Sequence, residues 1–150
     1  MSTLSGRPVR IPFIALTYRA YRAMEADMVA AAHRAGHTGI KRTHNGVFAT
    51  LNMAGVRTVD LAAQMNMTRQ SMGEIVREMV DLGILEMRPD PTDRRAKLVG
   101  YSERGLRVAA DGFAHIQDLD RRFTEEFGPE EYETARRVLA RVAQMLREDT

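Results

Sequence analysis

The sequence contains no cysteine, and only two of its 22 basic residues, Lys41 and Lys97, are lysines. Without a thiol the chain can form neither disulfide bonds nor a thiol-based redox sensor, and it has no thiolate to offer a zinc ion. The other basic residues are arginines, whose planar guanidinium groups suit phosphate and guanine, although genomic base composition can produce the same bias. Any regulatory switch in this protein must therefore use other chemistry.

Long apolar runs and catalytic signatures are also absent. No run approaches the roughly 20 residues that a membrane span needs, and the first residues, MSTLSGRPVR, lack the apolar core of a secretory signal. We therefore expect a cytoplasmic protein with no membrane partner. No G-x-S-x-G, glycine-rich phosphate loop or H-E-x-x-H sequence occurs. An enzyme is not expected, and no cofactor is predicted.

The length of 150 residues is sufficient for one ordinary domain with an apolar core. We predict a flexible arm at residues 1–10, which bears Arg7 and Arg10, and a single domain over residues 11–150. Apolar periodicity and turn residues predict a mainly α fold with one small β-hairpin.

Two helices are expected before the centre of the chain. The first begins after Pro12, a favoured first-turn residue, and continues to Gly36. The second is shorter, with Thr43 as its cap and its end near Gly55. Within it, the apolar side chains expected to point inward are those of Val47, Phe48 and Leu51.

A tight helix pair and a hairpin are expected next. Thr58 is the predicted cap of the first helix of the pair and Thr68 that of the second, which covers residues 69–82. Asn66 occupies the turn between them, where the backbone needs a left-handed residue. A turn at residues 90–94 then joins two short strands. The apolar positions that face the core of this pair are Leu61, Ala62, Met65, Met72, Ile75, Val76, Met79 and Leu82.

Two long amphipathic helices complete the chain. Ser102 precedes the first, whose apolar stripe from Leu106 to Phe127 is interrupted only at Asp120, and Pro129 opens the second. A helix of about 25 residues spans about 37 Å, which is more than a domain of this size can cover on both sides. Part of the apolar surface is therefore expected to face a second copy of the chain. The positions of the last helix expected to point inward are Tyr132, Ala135, Val138, Leu139, Val142, Met145 and Leu146.

The second helix of the pair and the hairpin carry groups that can bind DNA. The helix begins with polar side chains able to bond base edges or phosphates in a major groove, namely Thr68, Arg69, Gln70 and Ser71. Further along, Arg77 is expected to reach a phosphate. At the hairpin tip, Arg94 and Arg95 suit a narrow, electronegative groove, and Asp93 is expected to hold the loop by pairing with an arginine. A simple packing pair and a solvated turn are the alternatives.

Residues 56–101 contain seven basic and seven acidic side chains. Bulk charge therefore cannot attract an acidic partner to this segment. Any binding of DNA there must depend on where individual arginines point.

The run DLAAQMNMTRQSMGEIVREMVDLGILEMRPDPTDRRAKLVGYSERG resembles the DNA-binding core of MarR-type transcriptional regulators. The similarity lies in LA near the start of the third helix, in the glycine step into the hairpin, and above all in the D-P-x-D-R-R wing. The resemblance implies a winged helix-turn-helix lobe at residues 56–101, with dimer-forming helices in residues 11–55 and 102–150. It also implies a homodimer that binds a palindromic double-stranded DNA operator. We predict that this homodimer is a repressor, with an activator as the alternative.

The same resemblance assigns roles to individual residues. Thr68, Gln70, Ser71 and Arg77 map to the recognition helix, and Asp93, Arg94 and Arg95 map to the wing. The sequence departs from the family at Gly73 and Glu74, where a basic residue is frequent. Glu74 can accept a hydrogen bond from cytosine N4 or pair with Arg77. Glycine inside a helix costs about 1 kcal/mol relative to alanine.

Members of the family often respond to small phenolic or other aromatic acids. The resemblance makes Tyr18, Arg22 and His44 candidate ligand residues, with Arg22 able to meet a carboxylate. The alternative is that Tyr18 and His44 are ordinary packing or surface groups.

A metal-responsive regulator of the same fold and a helical protein-interaction module are further alternatives. His33 and His37 are four residues apart, but Gly36 interrupts the helix between them. His44 and His115 would have to converge from elsewhere, with Glu25 to complete the set. No metal site is predicted.

Overall fold

The structure is a computed structural model, and it describes the backbone of residues 3–4 and 7–8 and all of residues 10–148. In chain order the elements are β1 (Thr3–Leu4), β2 (Arg7–Pro8), α1 (Phe13–Arg34), α2 (Arg42–Thr50), α3 (Thr58–Gln64), α4 (Arg69–Asp81), β3 (Leu85–Asp90), β4 (Asp93–Tyr101), α5 (Glu103–Phe127) and α6 (Pro129–Glu148). Two compact units divide the chain inside α5, one ending at Gly112 and the other beginning at Phe113.

Of the predicted arm at residues 1–10, residues 1–2, 5–6 and 9 lie outside the described residues. The described part includes β1 and β2, which pair antiparallel with Thr3 opposite Pro8 and Leu4 opposite Arg7.

The apolar core of the first unit is built mainly by α2, α3, α4 and the β3–β4 hairpin. Side chains spaced three or four residues apart share one helix face, so each helix buries its apolar face and leaves the opposite face in water. The largest fully buried side chains are Leu61, Met72, Met79, Ile84, Leu85, His44, Val47 and Val99. Phe48, Met65, Ile75 and Leu82 pack against this core from its edge. The core expected from the sequence is therefore confirmed for α2, α3 and α4.

The turn of the helix pair follows the expected chemistry. Asn66 has a φ of 52°, the left-handed conformation that Asn tolerates better than most residues. The Thr68 hydroxyl oxygen accepts a hydrogen bond of 3.1 Å from the Ser71 backbone N–H and so caps α4. Gly83, with a φ of 72°, ends the same helix.

Two predicted caps are wrong by one or two residues. α2 begins at Arg42, so Thr43 lies inside its first turn, and the backbone N–H of Lys41 is bonded to His44 Nδ1 at 3.1 Å. α3 begins at Thr58 itself, and the residue before it, Arg57, makes no capping bond through its side chain. In both cases the predicted cap lies one or two residues too late in the chain, because cap preference alone does not fix the first helical residue.

The β3–β4 hairpin is antiparallel, with Leu85 opposite Tyr101 at its base and Asp90 opposite Asp93 at its tip. The hairpin is tied to the helix pair by Val56, whose backbone exchanges two hydrogen bonds with Val99, at 2.9 and 2.8 Å. The base of the wing is therefore fixed on the core through both strands and the segment before α3.

The terminal helices differ from the winged part of the chain. Neither α1 nor α6 buries any residue among those described. The expectation that the apolar side chains of α6 point inward is wrong within a single chain for Ala135, Val138, Leu139, Met145 and Leu146, which are exposed, whereas Tyr132 and Val142 are half-buried. None of the helices in residues 10–148 has the length and apolar character of a membrane span.

In the second unit, α5 and α6 meet at a turn through Gly128, with a φ of 83°. Phe123 contacts the rings of both Phe127 and Tyr132, with centroids 6.2 and 6.0 Å away. The Tyr132 hydroxyl donates to the Asp120 carboxylate. Asp120, the one polar residue in the predicted stripe of α5, thus receives a bond from α6.

Candidate nucleic-acid interface

The start of α4 presents its polar side chains on the surface. Thr68, Arg69 and Gln70 are exposed and Ser71 is half-buried. The Thr68 hydroxyl donates to Ser71 Oγ at 2.9 Å while it caps the helix, so both hydroxyls are engaged locally. The Ser71 hydroxyl keeps its own proton to donate. Arg69 and Gln70 are therefore the more available groups of the four.

Further along α4, Gln70 and Glu74 face each other across one helical turn. Gln70 Nε2 donates to Glu74 Oε1 at 3.5 Å, a long bond. The suggested pairing of Glu74 with Arg77 does not form. Arg77 is exposed, and within residues 10–148 neither Arg69 nor Arg77 has an ion-pair partner. These two guanidinium groups are free to meet an external anion.

The tip of the wing is only two residues long, Pro91 and Thr92, so Arg94 and Arg95 lie in β4 and not in the turn. This corrects the expected placement of the arginine pair at the tip. Both side chains are exposed. The register of the hairpin shifts here, from the Pro89–Lys97 pair to the Asp90–Asp93 pair, so neither Arg94 nor Arg95 has a partner across the strands.

Asp90 holds the tip of the wing, a role that the sequence analysis gave to Asp93. Its Oδ1 accepts the backbone N–H of Thr92 at 2.8 Å and the Thr92 hydroxyl at 2.7 Å. Its Oδ2 accepts from Arg57, at 2.8 Å from Nε and 2.6 Å from Nη2. The side chain is only 6% exposed.

These bonds favour the ionised carboxylate. The backbone N–H of Thr92 contributes most, followed by the Thr92 hydroxyl and Arg57, and together they lower the pKa of Asp90 to about 2. Arg57 directly precedes α3, so this ion pair joins the wing tip to the helix pair. The ion pair of Asp90 with Arg57 was not predicted from the sequence. The run Asp90-Pro91-Thr92 is nevertheless a known turn signal, because an aspartate side chain can bond the backbone two residues later.

Asp93 has a smaller role at the same place. Its Oδ1 accepts the backbone N–H of Arg95 at 3.0 Å, and its Oδ2 lies 3.9 Å from Arg57 Nη2. Asp93 therefore orders the start of β4 and adds negative charge beside Arg57.

The three predicted ligand residues lie in two different environments. Tyr18 and Arg22 are on the exposed face of α1, with the guanidinium carbon 6.0 Å from the ring centroid. His44 is completely buried, and its Nε2 lies 3.5 Å from Glu78 Oε2. Burial lowers the pKa of His44, and the nearby Glu78 only partly opposes this. Within the described residues, no hydrogen bond or ring contact joins His44 to Tyr18 or Arg22.

Two of the histidines considered for metal binding, His33 and His37, form hydrogen bonds with other groups of the protein. His33 Nε2 bonds the Ile40 carbonyl at 2.8 Å, and His37 Nε2 bonds Asp111 Oδ2 at 2.8 Å. The Glu25 carboxylate accepts the Tyr21 hydroxyl at 3.1 Å. Over residues 10–148, no group of three potential ligands is arranged to hold a metal ion.

A helix-turn-helix with an arginine-bearing hairpin tied to its core defines a winged helix-turn-helix protein. Comparisons agree with this class. Residues 38–96 match the model of the MarR family. No curated protein matches the chain by sequence.

Solved structures share the fold over most of the chain. The crystal structure of wild-type MarR from E. coli in its apo form is 19% identical, with a TM-score of 0.71 over 89% of this chain and 98% of that one. The transcriptional repressor CouR, bound to a 23-mer DNA duplex, is 17% identical, with a TM-score of 0.71 over 88% and 92%. The MepR–DNA complex of S. aureus is 15% identical, with a TM-score of 0.70 over 91% and 99%.

The expected resemblance to MarR-type regulators is thereby confirmed. The family's sequence pattern covers α2, α3, α4, β3 and the start of β4, and its fold extends over most of the chain.

Proposed function

We propose that this protein is a sequence-specific DNA-binding transcription regulator. In this proposal α4 enters the major groove, where Gln70, Glu74 and Ser71 face base edges and Arg69 and Arg77 meet phosphates. The β3–β4 wing lies over the flanking minor groove, with Arg94 or Arg95 inserted.

The observation that carries the proposal is a contrast between two sets of arginines. Arg57 and Arg88 are tied to carboxylates within the lobe. Arg69, Arg77 and Arg94 lie on the helix and wing that would face DNA, and no ion pair among residues 10–148 involves them. A lobe with no net charge can bind a polyanion only if its cations are exposed at the contact surface while other charges neutralise one another. CouR and MepR, which have this fold, are described bound to DNA.

We further propose that the chain acts as a homodimer through α1, α5 and α6, that its operator is palindromic, and that it represses transcription. Residues 11–55 and 102–150 would form the dimer region around the lobe at residues 56–101. The exposed apolar faces of α1 and α6 support a second copy as the partner. A two-fold dimer would read two half-sites of inverted sequence.

A small aromatic acid is the effector that we propose, held by Tyr18 and Arg22. Arg22 already lies over the Tyr18 ring, an arrangement that offers an aromatic face and a cation to a carboxylate. His44 is less suited to direct contact, because its ring is completely buried.

The test is a mobility-shift titration with DNA that flanks the protein's own gene, carried out at several salt concentrations. Specific retardation with a steep loss in salt is expected. Arg94→Ala should weaken binding and reduce the salt slope by about 1, whereas Gln70→Ala should change sequence preference more than total affinity.

Two results would count against the proposal. Absence of retardation on any flanking fragment would argue against DNA binding and favour a protein-interaction module. Unchanged affinity in Arg94→Ala would remove that arginine from the mechanism.

A further inference from the structure

Gly73 lies in the middle of α4 without a structural need for glycine. Other glycines of this chain have an internal reason: Gly83 has a φ of 72°, and a Cβ on Gly105 would lie 1.9 Å from the Ile84 carbonyl oxygen. At Gly73 the φ is not positive, and an added Cβ would meet no atom within 4 Å. Glycine in a helix interior is less favourable than alanine. The free chain would therefore be more stable with alanine at this position.

The side chains around Gly73 are those expected to bind DNA. Residues four apart lie on the same helix face, so Arg69, Gly73 and Arg77 form a row along α4. The two arginines are about 12 Å apart along the helix axis. Both are exposed and have no ion-pair partner within residues 10–148. Between them the helix presents bare backbone.

We propose that Gly73 is a DNA-contact position, where the missing side chain lets the sugar–phosphate wall of the major groove rest directly on α4. Arg69 and Arg77 then bond phosphates on either side of this point. The proposal rests on the DNA-binding function proposed above and deepens it. Glycine is a common solution where a backbone must approach a ligand closely, and a methyl group here would hold the DNA away from both arginines at once.

The test is Gly73→Ala, measured for both stability and binding. The variant should melt at a higher temperature than the wild type, because alanine favours the helix and the space is open. Its affinity for the duplex that the wild type retards should nevertheless fall at least tenfold. The slope of log affinity against log salt should become shallower by about one to two phosphate contacts. Gly73→Leu should weaken binding further, since its side chain is larger.

Gly112→Ala is the matched control. It makes the same change inside α5, where the added methyl would lie at an ordinary 3.8 Å from Met28. It should raise or preserve the melting temperature without a loss of affinity or of salt dependence.

The outcomes separate the two proposals. Wild-type retardation together with undiminished affinity in Gly73→Ala would overturn the role of Gly73 and leave the DNA-binding function intact. A lower melting temperature in Gly73→Ala would also overturn it, because weaker binding would then follow from damage to the helix. A wild type that retards no DNA would overturn both.

Discussion

Two amphipathic helices, α4 and α6, have the same apolar periodicity but differ in how much of their apolar face the chain buries. α4 buries Met72, Val76 and Met79 in the core. α6 buries none of its described residues, and its Leu139 is 49% exposed. Periodicity shows which face of a helix is apolar, but it does not show which molecule covers that face.

The chain therefore has one part whose apolar side chains are buried within the chain and another whose apolar side chains stay exposed. The winged lobe, formed by α3, α4 and the hairpin, packs on a core that the chain itself completes. α1 and α6 each expose large apolar side chains, and apolar faces left exposed in this way mark interaction sites. A second copy of the chain is the partner that we propose.

The largest effect is expected in the core of the lobe. Leu61 is completely buried, so Leu61→Ala should lower the free energy of unfolding by about 2–5 kcal/mol, because it leaves a cavity. Urea denaturation followed by circular dichroism measures it. Met53→Ala is the control: that side chain is 71% exposed, and its removal should change stability by no more than about 0.5 kcal/mol. Equal losses in the two variants would contradict the assignment of the core.

A charged substitution on α6 should test dimerisation without disturbing the fold of the single chain. Leu139→Arg is expected to leave the fold intact, because the side chain is already half-exposed. It should convert dimers to monomers, because dimerisation would bury an unpaired charge at the contact. Light scattering after size exclusion measures the mass. Operator affinity should fall roughly 100-fold, since two half-sites are no longer bound by one linked molecule.

Gln144→Arg provides the control for this experiment. It adds the same charge to α6 at an exposed polar residue, where Gln144 bonds Glu148 at 3.0 Å, and should leave the mass unchanged. A Leu139→Arg variant that remains dimeric would show that α6 is not covered by a second copy.

A smaller effect is expected at the ion pair of Asp90 with Arg57, which holds the tip of the wing. Asp90→Asn removes the charge that holds Arg57 and should loosen the tip, with a loss of operator affinity of roughly tenfold. The depressed pKa of Asp90 also predicts a pH dependence. The ionised form contributes its full stability above the ordinary pKa of 3.8, and this contribution is lost as the pH falls towards about 2.

Urea unfolding at pH 7, 4 and 3 tests the second part of this prediction. The stability difference between wild type and Asp90→Asn should narrow below pH 4. A difference that stays constant down to pH 3 would mean that the Asp90 contacts do not stabilise its ionised form.

The smallest effect is expected from His44 of α2, whose ring lies beside Glu78 of α4. Its pKa is lowered by burial, so stability is fully present above the ordinary value of about 6.5 and declines as the pH falls below it. The loss by pH 5.5 is at most about 1.4 kcal/mol. His44→Gln can still accept the Lys41 backbone N–H and should flatten this part of the pH profile. Glu78 and Lys41, which face His44, remain in both proteins.

Thermal unfolding of wild type and His44→Gln at pH 7.5 and 5.5 measures this difference. Parallel profiles in the two proteins would show that His44 does not resist protonation in the fold.

Much of the lobe could be predicted because its signals are local. The left-handed turn at Asn66, the cap at Thr68 and the stop at Gly83 each follow from the conformational preference of one residue. The wing was predicted to exist, but its tip was misplaced. The pairing of Asp90 with Asp93 depends on the register of two strands, which residue preference does not set.

The DNA-contact residues named from the sequence remain predictions, and the structure changes what is expected of each. Ser71 is engaged in the cap with Thr68, whereas Gln70 faces Glu74. Arg57 was not singled out, because its partner Asp90 is 33 positions away and no sequence spacing indicates such a contact.

The order of the elements from α1 to α6, the apolar face of each helix and the family resemblance could all be predicted from the sequence, because periodicity, capping and turn chemistry act over a few residues. The three-dimensional packing of the chain alone determines which arginines are neutralised and which are left available. It also determines that Asp90 locks the wing, and that the apolar faces of α1 and α6 stay uncovered in one chain. These outcomes depend on contacts between residues far apart in sequence, whose distances are set by packing.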